Sequence, residues 1–149
     1  MANEIGADST SPNTVPHPVV LDTNILLDVF VFNDAAAQPL GQALQAGALE
    51  WLATRPMRDE MARVLAYPKI VGRLFFYRLQ ASDILSSFDR HARLVAVPAK
   101  APVTCKDVDD QKFIDLAVAH RSHLLSKDRA VLSMARRLEI LRVSARATW

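Results

Sequence analysis

Four carboxylates stand where apolar patterns would otherwise run on into the protein interior. In VVLDTNILLD, residues 19–28, an apolar run climbs to Asp22 and resumes after Thr23 and Asn24. In MRDEMARVLAY, residues 57–67, Met57, Met61, Val64 and Leu65 define the buried stripe of an amphipathic helix, and Glu60 lies on or beside it. In CKDVDDQKFIDLAVAHR, residues 105–121, Phe113, Ile114, Ala117 and Val118 form the buried face, and Asp110 leads that face by three and four residues. In HLLSKDRAVL, residues 123–132, the strand-like LLS delivers Asp128 just past its end.

Each acid also has an ordinary structural reading. Asp22 and Asp128 are suited to capping the helices that follow them. Glu60 at the edge of its stripe pairs with Arg63 or another arginine in such a reading. Asp107 or Asp109 serves as the cap in front of Asp110, which leaves Asp110 free, although Asp109 beside it leaves the register open by one residue. Taken together the four acids ask for more. Carboxylates sharing one crevice raise one another's pKa unless a cation intervenes. With oxygen ligands only, that cation is a hard one, Mg²⁺ or Mn²⁺, and zinc is disfavoured. His17, His91, His120 and His123 show no ligand spacing and read as surface or interface residues. An acidic metal crevice in an α/β domain suits work on phosphate esters, with water activated and phosphate charge neutralised.

The elements that must position these residues follow from periodicity. Residues 1–17 lack it and are expected to be a flexible tail, with an ordered domain over 18–149. Strands are expected at 19–21, 49–53, 94–97, 124–126 and 139–143. Helices are expected at about 24–31, 35–46, 56–66, 69–78, 81–91, 109–121 and 129–137. Short buried runs separated by helices imply parallel strands with crossovers, hence an α/β three-layer α/β/α sandwich around a central parallel sheet. In such a sheet the carboxyl ends of the strands line the ligand crevice, and Asp22 and Asp128 stand at such ends.

Composition narrows the classes. At 149 residues, half of them hydrophobic and 23% charged, the chain has the make-up of one soluble globular domain. A net charge of +2 permits a nucleic-acid partner without requiring one, and 13 of the 18 cationic residues are arginines, as a phosphate partner or a GC-rich genome would each produce. The single cysteine, Cys105, forms no internal disulfide and fits a reducing cytosol. No apolar run of membrane-spanning length occurs, and the start lacks a secretion signal, so the expected location is cytoplasmic. Gly6, Gly41, Gly47 and Gly72 build neither nucleotide-binding fingerprint. An aspartate-nucleophile phosphatase needs a second aspartate where Asn24 stands.

The ordered series of LDTN, a helical Glu before RVL and a Pro, DDQKFIDLA, and LLSKD resembles the PIN domain, over residues 19–143 and closest to its branch of toxins from toxin-antitoxin pairs. That resemblance implies a Rossmann-like fold and a Mg²⁺- or Mn²⁺-dependent ribonuclease. It places Asp22, Glu60, Asp110 and Asp128 on the family's acidic quartet, Thr23 and Asn24 on the polar pair after the first acid, and Ser126 on the small hydroxyl residue before the last. The expected roles are direct ligation of one principal ion by Asp22 and Asp110, with Glu60 and Asp128 acting through water or on a second ion. Lys127, where the branch often has a small residue, and Arg129 are the phosphate-contact candidates beside an ordinary reading as a solvated helix start. RNA is the expected substrate, a small antitoxin the expected partner, and a homodimer is expected from Phe30, Phe32, Phe75, Phe76 and Tyr77 on two apolar helices, unless the core absorbs them. A catalytically inactive RNA- or protein-binding module of the same fold is the alternative.

Overall fold

The computed structural model describes residues 15–149, and the tail expected over 1–17 lies, for residues 1–14, outside the described residues. Order in the sheet begins at strand β1 (His17–Leu21), which starts two residues before the apolar run and buries its last three residues. Helix α1 (Thr23–Phe30) follows directly, and a 3₁₀ turn at Ala35–Ala37 leads into α2 (Gln38–Gln45). Then come β2 (Leu49–Ala53), the helices α3 (Arg55–Leu65), α4 (Pro68–Phe76) and α5 (Ala81–His91), and β3 (Ala92–Leu94). A second 3₁₀ turn, Val108–Asp110, opens α6 (Gln111–His120), which is followed by β4 (His123–Leu125), α7 (Arg129–Leu132), α8 (Ala135–Ile140) and β5 (Ser144–Arg146). Local chemistry sets several of these starts. Proline occupies the first turn of α2, α3 and α4, where its missing N–H costs nothing. Gly47, at φ +74°, ends the α2 segment in the left-handed region that a side chain disfavours.

Among the described residues the sheet has five strands in the order β3-β2-β1-β4-β5, and every adjacent pair is parallel. From β1 the chain steps to β2 and β3 on one side, then crosses back to add β4 and β5 on the other. Right-handed crossovers therefore put α1 to α5 on one face and α6 to α8 on the opposite face, the three layers expected. The central strands are buried on both faces, with Val19, Val20, Leu124 and Leu125 fully inaccessible. Met57, Met61 and Leu65 of α3 and Phe113, Ile114 and Ala117 of α6 are buried as their spacing predicts, while Val64 and Val118 are only partly so. Trp51 meets the Phe88 ring edge-to-face at 4.6 Å and fills the space between β2 and α5.

Two expected strands are displaced. The run expected at 94–97 pairs instead over Ala92–Leu94, with one further ladder bond from the Val95 N–H to the Ala53 carbonyl. It is an edge strand, so its alternate residues need not be apolar, and Pro98 prevents its extension. The run expected at 139–143 is helical as far as Ile140, and the strand forms only at Ser144–Arg146. Val131, Met134 and Leu138, all fully buried, continue one helical stripe through that region, while Ile140 is exposed. The helix expected at 129–137 is accordingly split into α7 and α8, with a turn at Ser133 and Met134. Arg142, at φ 67°, then reverses the chain into β5.

The aromatic residues divide. Phe30 and Phe32 pack partly against the core, whereas Phe75 is 85% exposed and Phe76 73% exposed at the end of α4, with Tyr67 and Val71 open on the same helix region. No described helix is long and apolar enough to cross a membrane.

Candidate active site

The order of the sheet dictates where a ligand crevice opens. Strands β1 and β4 are neighbours from which the chain departs in opposite directions, and at such a switch point the carboxyl ends of the strands leave a cleft. Asp22 is the first residue beyond β1, and Asp128 the third beyond β4. The Asp22 N–H still donates to the Leu125 carbonyl at 3.1 Å, so the ladder continues up to the acid itself. This is why an acid can end a buried strand: its backbone remains paired while its side chain enters the cleft.

Each strand-end acid does two jobs. Asp22 caps α1, with Oδ1 accepting from the Ile25 N–H at 2.9 Å, and its Oδ2 accepts from Ser126 Oγ at 2.5 Å. Ser126 is fully buried, and its Oγ also accepts from the Asp128 N–H at 3.0 Å. That one hydroxyl ties the ends of β1 and β4 together. Asp128 caps α7 through Oδ1, which accepts from the Ala130 N–H at 2.9 Å. The capping and cleft readings of both acids are therefore compatible, because a carboxylate has more acceptor sites than one cap consumes.

The two helical acids arrive from opposite layers. The Asp107 side chain accepts from the Asp109 N–H at 2.9 Å and so caps the 3₁₀ turn, while Asp110, at the start of α6, makes no capping bond with its side chain. Its Oδ2 is buried and without a hydrogen-bond partner. Glu60, from the middle of α3, is gripped at both oxygens: Thr23 Oγ1 donates to Oε2 at 2.5 Å and Lys112 Nζ lies 2.5 Å from Oε1. The pairing with Arg63 that α3 alone suggested is replaced by one with α6, since the stripe bearing Glu60 points across the cleft. Asp22, Glu60, Asp110 and Asp128, with Thr23 and Asn24, line a single cavity of about 120 Å³. Asn24 is exposed, at the N-terminal turn of α1.

Electrostatics mark the cavity as a place of unresolved charge. Burial, then the neighbouring Asp128, pushes the Asp110 carboxyl up to about 7. Burial likewise raises Asp22, with the Ser126 hydroxyl and the Ile25 N–H pulling the other way and Asp128 adding to the rise. Asp107, Asp110 and Asp128 each bring one carboxylate oxygen within 4.8 Å of the others. A cluster of oxygens alone, one of them orphaned and buried, with Cys105 engaged with the Ala130 carbonyl instead, fits a hard divalent cation. Asp110 and Asp128 would hold it together with Asp22 or Asp107.

The two candidate phosphate contacts stand beside the last acid. Lys127 is paired with the buried Asp28, and Arg129 is exposed at the first turn of α7. Asp107 is the cap that the sequence suggests and also brings a carboxylate oxygen to the cluster, since its spacing of three from Asp110 puts both on one side of a turn. Lys112, the one lysine or arginine between Asp107 and His120, carries no signal in the sequence pattern that would single it out.

Comparison with curated proteins finds none that matches the chain. Residues 18–130, more than two thirds of the chain, match the family model of the PIN domain, a family whose members are as a rule nucleases that bind divalent metals, and with this match and the acidic cleft at the switch point the chain belongs to the PIN domain family.

Proposed function

We propose that this protein is a Mg²⁺- or Mn²⁺-dependent endoribonuclease, and that it acts in the cytoplasm as the toxin of a toxin-antitoxin pair. The observation that carries the nuclease reading is the buried, partnerless Oδ2 of Asp110 in a cavity walled by four acids. A divalent ion bound there supplies water activation and neutralises charge on the phosphate. The chain's own residues do the rest. Asp22, fixed by the Ile25 N–H and by Ser126, presents a carboxylate that does not swing. Asp110 and Asp128, with Asp107, bring carboxylate oxygens within 4.8 Å of one another. Glu60, held from both sides, is placed to orient a water and accept its proton. The cavity has room for an ion and a few waters, not for a nucleobase, so an RNA strand lies across the opening with its phosphate over the acids. Asn24 is the donor offered to that strand.

The toxin assignment draws on the motif series LDTN, DDQKFIDLA and LLSKD. The exposed Tyr67, Val71, Phe75 and Phe76 suit the docking of a small antitoxin, or of a second copy. The deciding experiment is incubation of the purified chain with single-stranded RNA in Mg²⁺, Mn²⁺ and EDTA, beside Asp22→Asn and Asp110→Asn. Metal-dependent cleavage that vanishes in both variants is the expected result. A folded protein that binds no metal and cleaves nothing would leave the inactive binding module of the same fold.

A further inference from the structure

Among the described residues, one lysine or arginine makes an ion pair with the acidic quartet, and it is Lys112. Its Nζ lies 2.5 Å from Glu60 Oε1, donates to the Asp109 carbonyl at 2.5 Å, and sits 5.0 Å from the centroid of the Phe113 ring. The Lys112 and Glu60 side chains are 28% and 20% exposed, so the pair is mostly withdrawn from water. Lys127, though adjacent in sequence to Asp128, is spent on Asp28. The ammonium thus stands on the Glu60 side of a cavity whose other acids, Asp22, Asp110 and Asp128, gather around the β1 and β4 ends. In a phosphodiesterase site built for two cations, the second ion would need the Glu60 carboxylate, and here a fixed cation already has it. Placing a divalent ion there would set two positive charges side by side or drive the lysine out.

We propose that Lys112 is a built-in cation of the site: its ammonium fixes Glu60 and takes the place of a second ion, so that the cavity accepts one divalent cation. The inference rests on the nuclease reading and sharpens it, giving Lys112 a positioning role through Glu60. One positive charge that cannot dissociate also moderates the pull of four carboxylates on the ion. Removing it leaves the cavity more negative by one unit and frees Glu60 Oε1. The resident ion should then bind more tightly, while Glu60 loses the hold that keeps its carboxylate oriented.

The test is Mn²⁺ titration of the full chain, followed by electron paramagnetic resonance of free Mn²⁺, for the wild type, Lys112→Arg, Lys112→Met and Asp22→Asn, with RNA cleavage measured in parallel. The expected wild-type stoichiometry is one ion per chain, lost or much weakened in Asp22→Asn. Lys112→Met is expected to bind the ion about tenfold tighter or to take up a second one, with kcat down more than KM is changed, and Lys112→Arg is expected to stay near the wild type. Two ions on the wild-type chain overturn the inference whether or not any variant folds. So does a Lys112→Met protein with unaltered stoichiometry, affinity and kcat. A wild-type chain whose Mn²⁺ uptake is absent, or is untouched by Asp22→Asn, refutes the metal-site reading itself and this inference with it.

Discussion

Asp110→Asn should make the metal-free protein more stable at pH 8 and stabilise it much less at pH 4.5. The sign follows from the direction of the shift. The Asp110 carboxyl titrates near 7 in the folded chain, against 3.8 for an unhindered aspartate, because burial and then Asp128 oppose its ionisation. Below 3.8 both folded and unfolded chains carry the proton, and whatever this group contributes to stability is fully present. As the pH rises from there, the unfolded chain gives up its proton first, and stability falls until the folded site ionises near 7. Moving that titration from 3.8 to about 7 corresponds to about 4 kcal/mol. The cavity is open to water on one side, and solvent screening reduces the effect to on the order of 2 kcal/mol. Asparagine has nearly the same shape and no charge, so it removes this penalty and with it the pH dependence. The assay is urea unfolding in EDTA at several pH values, read as the difference between variant and wild type. With Mn²⁺ in place of EDTA the order should reverse, because only the wild type gains the stabilisation that binding to the folded state confers. A difference that stays flat between pH 4.5 and 8, or a variant less stable than the wild type in EDTA at pH 8, would refute the claim that Asp110 is a carboxylate held in waiting for a cation.

Other perturbations separate structural from chemical roles. Asp22→Asn keeps an acceptor for the Ile25 N–H and should fold normally while losing metal-dependent cleavage, whereas Asp22→Ala should in addition lose about 1 kcal/mol as the cap of α1 disappears, measured by thermal unfolding. Ser126→Ala removes the fully buried hydroxyl that joins Asp22 Oδ2 to the Asp128 N–H, and should cost roughly 1–3 kcal/mol together with a lower kcat. Ile114→Ala, at a fully inaccessible position on α6, should cost about 2–5 kcal/mol in chemical unfolding. Phe75→Ser with Phe76→Ser should leave RNA cleavage intact and abolish co-purification with an antitoxin encoded beside the gene; a complex that survives the double change would move the docking surface elsewhere.

The particular elements show why some of this design is legible in the chain and some is not. Strand β1 is read without difficulty because it is buried on both faces, so its run of Val19, Val20 and Leu21 has no competing explanation. The edge strand β3 is misplaced because Leu94 and Val97 look like strand residues, yet the ladder, which needs only a neighbour's free edge, forms around Ala92 and Arg93. The segment at 139–143 misleads for the opposite reason: two branched residues there suggest a strand, while the buried stripe of Val131, Met134 and Leu138 holds the backbone helical as far as Ile140. Acids follow the same logic. Asp22, Glu60, Asp110 and Asp128 announce themselves because a carboxylate on an apolar stripe costs too much to be accidental. Lys112 does not, because in the hydrophobic pattern of α6 it reads as an ordinary solvent-facing residue beside the apolar stripe. Its task is set by Glu60, 52 positions earlier on a helix of the opposite layer, and only the fold brings the two side chains to the same cleft, 2.5 Å apart. Charges that violate a local pattern are visible in one dimension; charges that satisfy it acquire a function only through the fold.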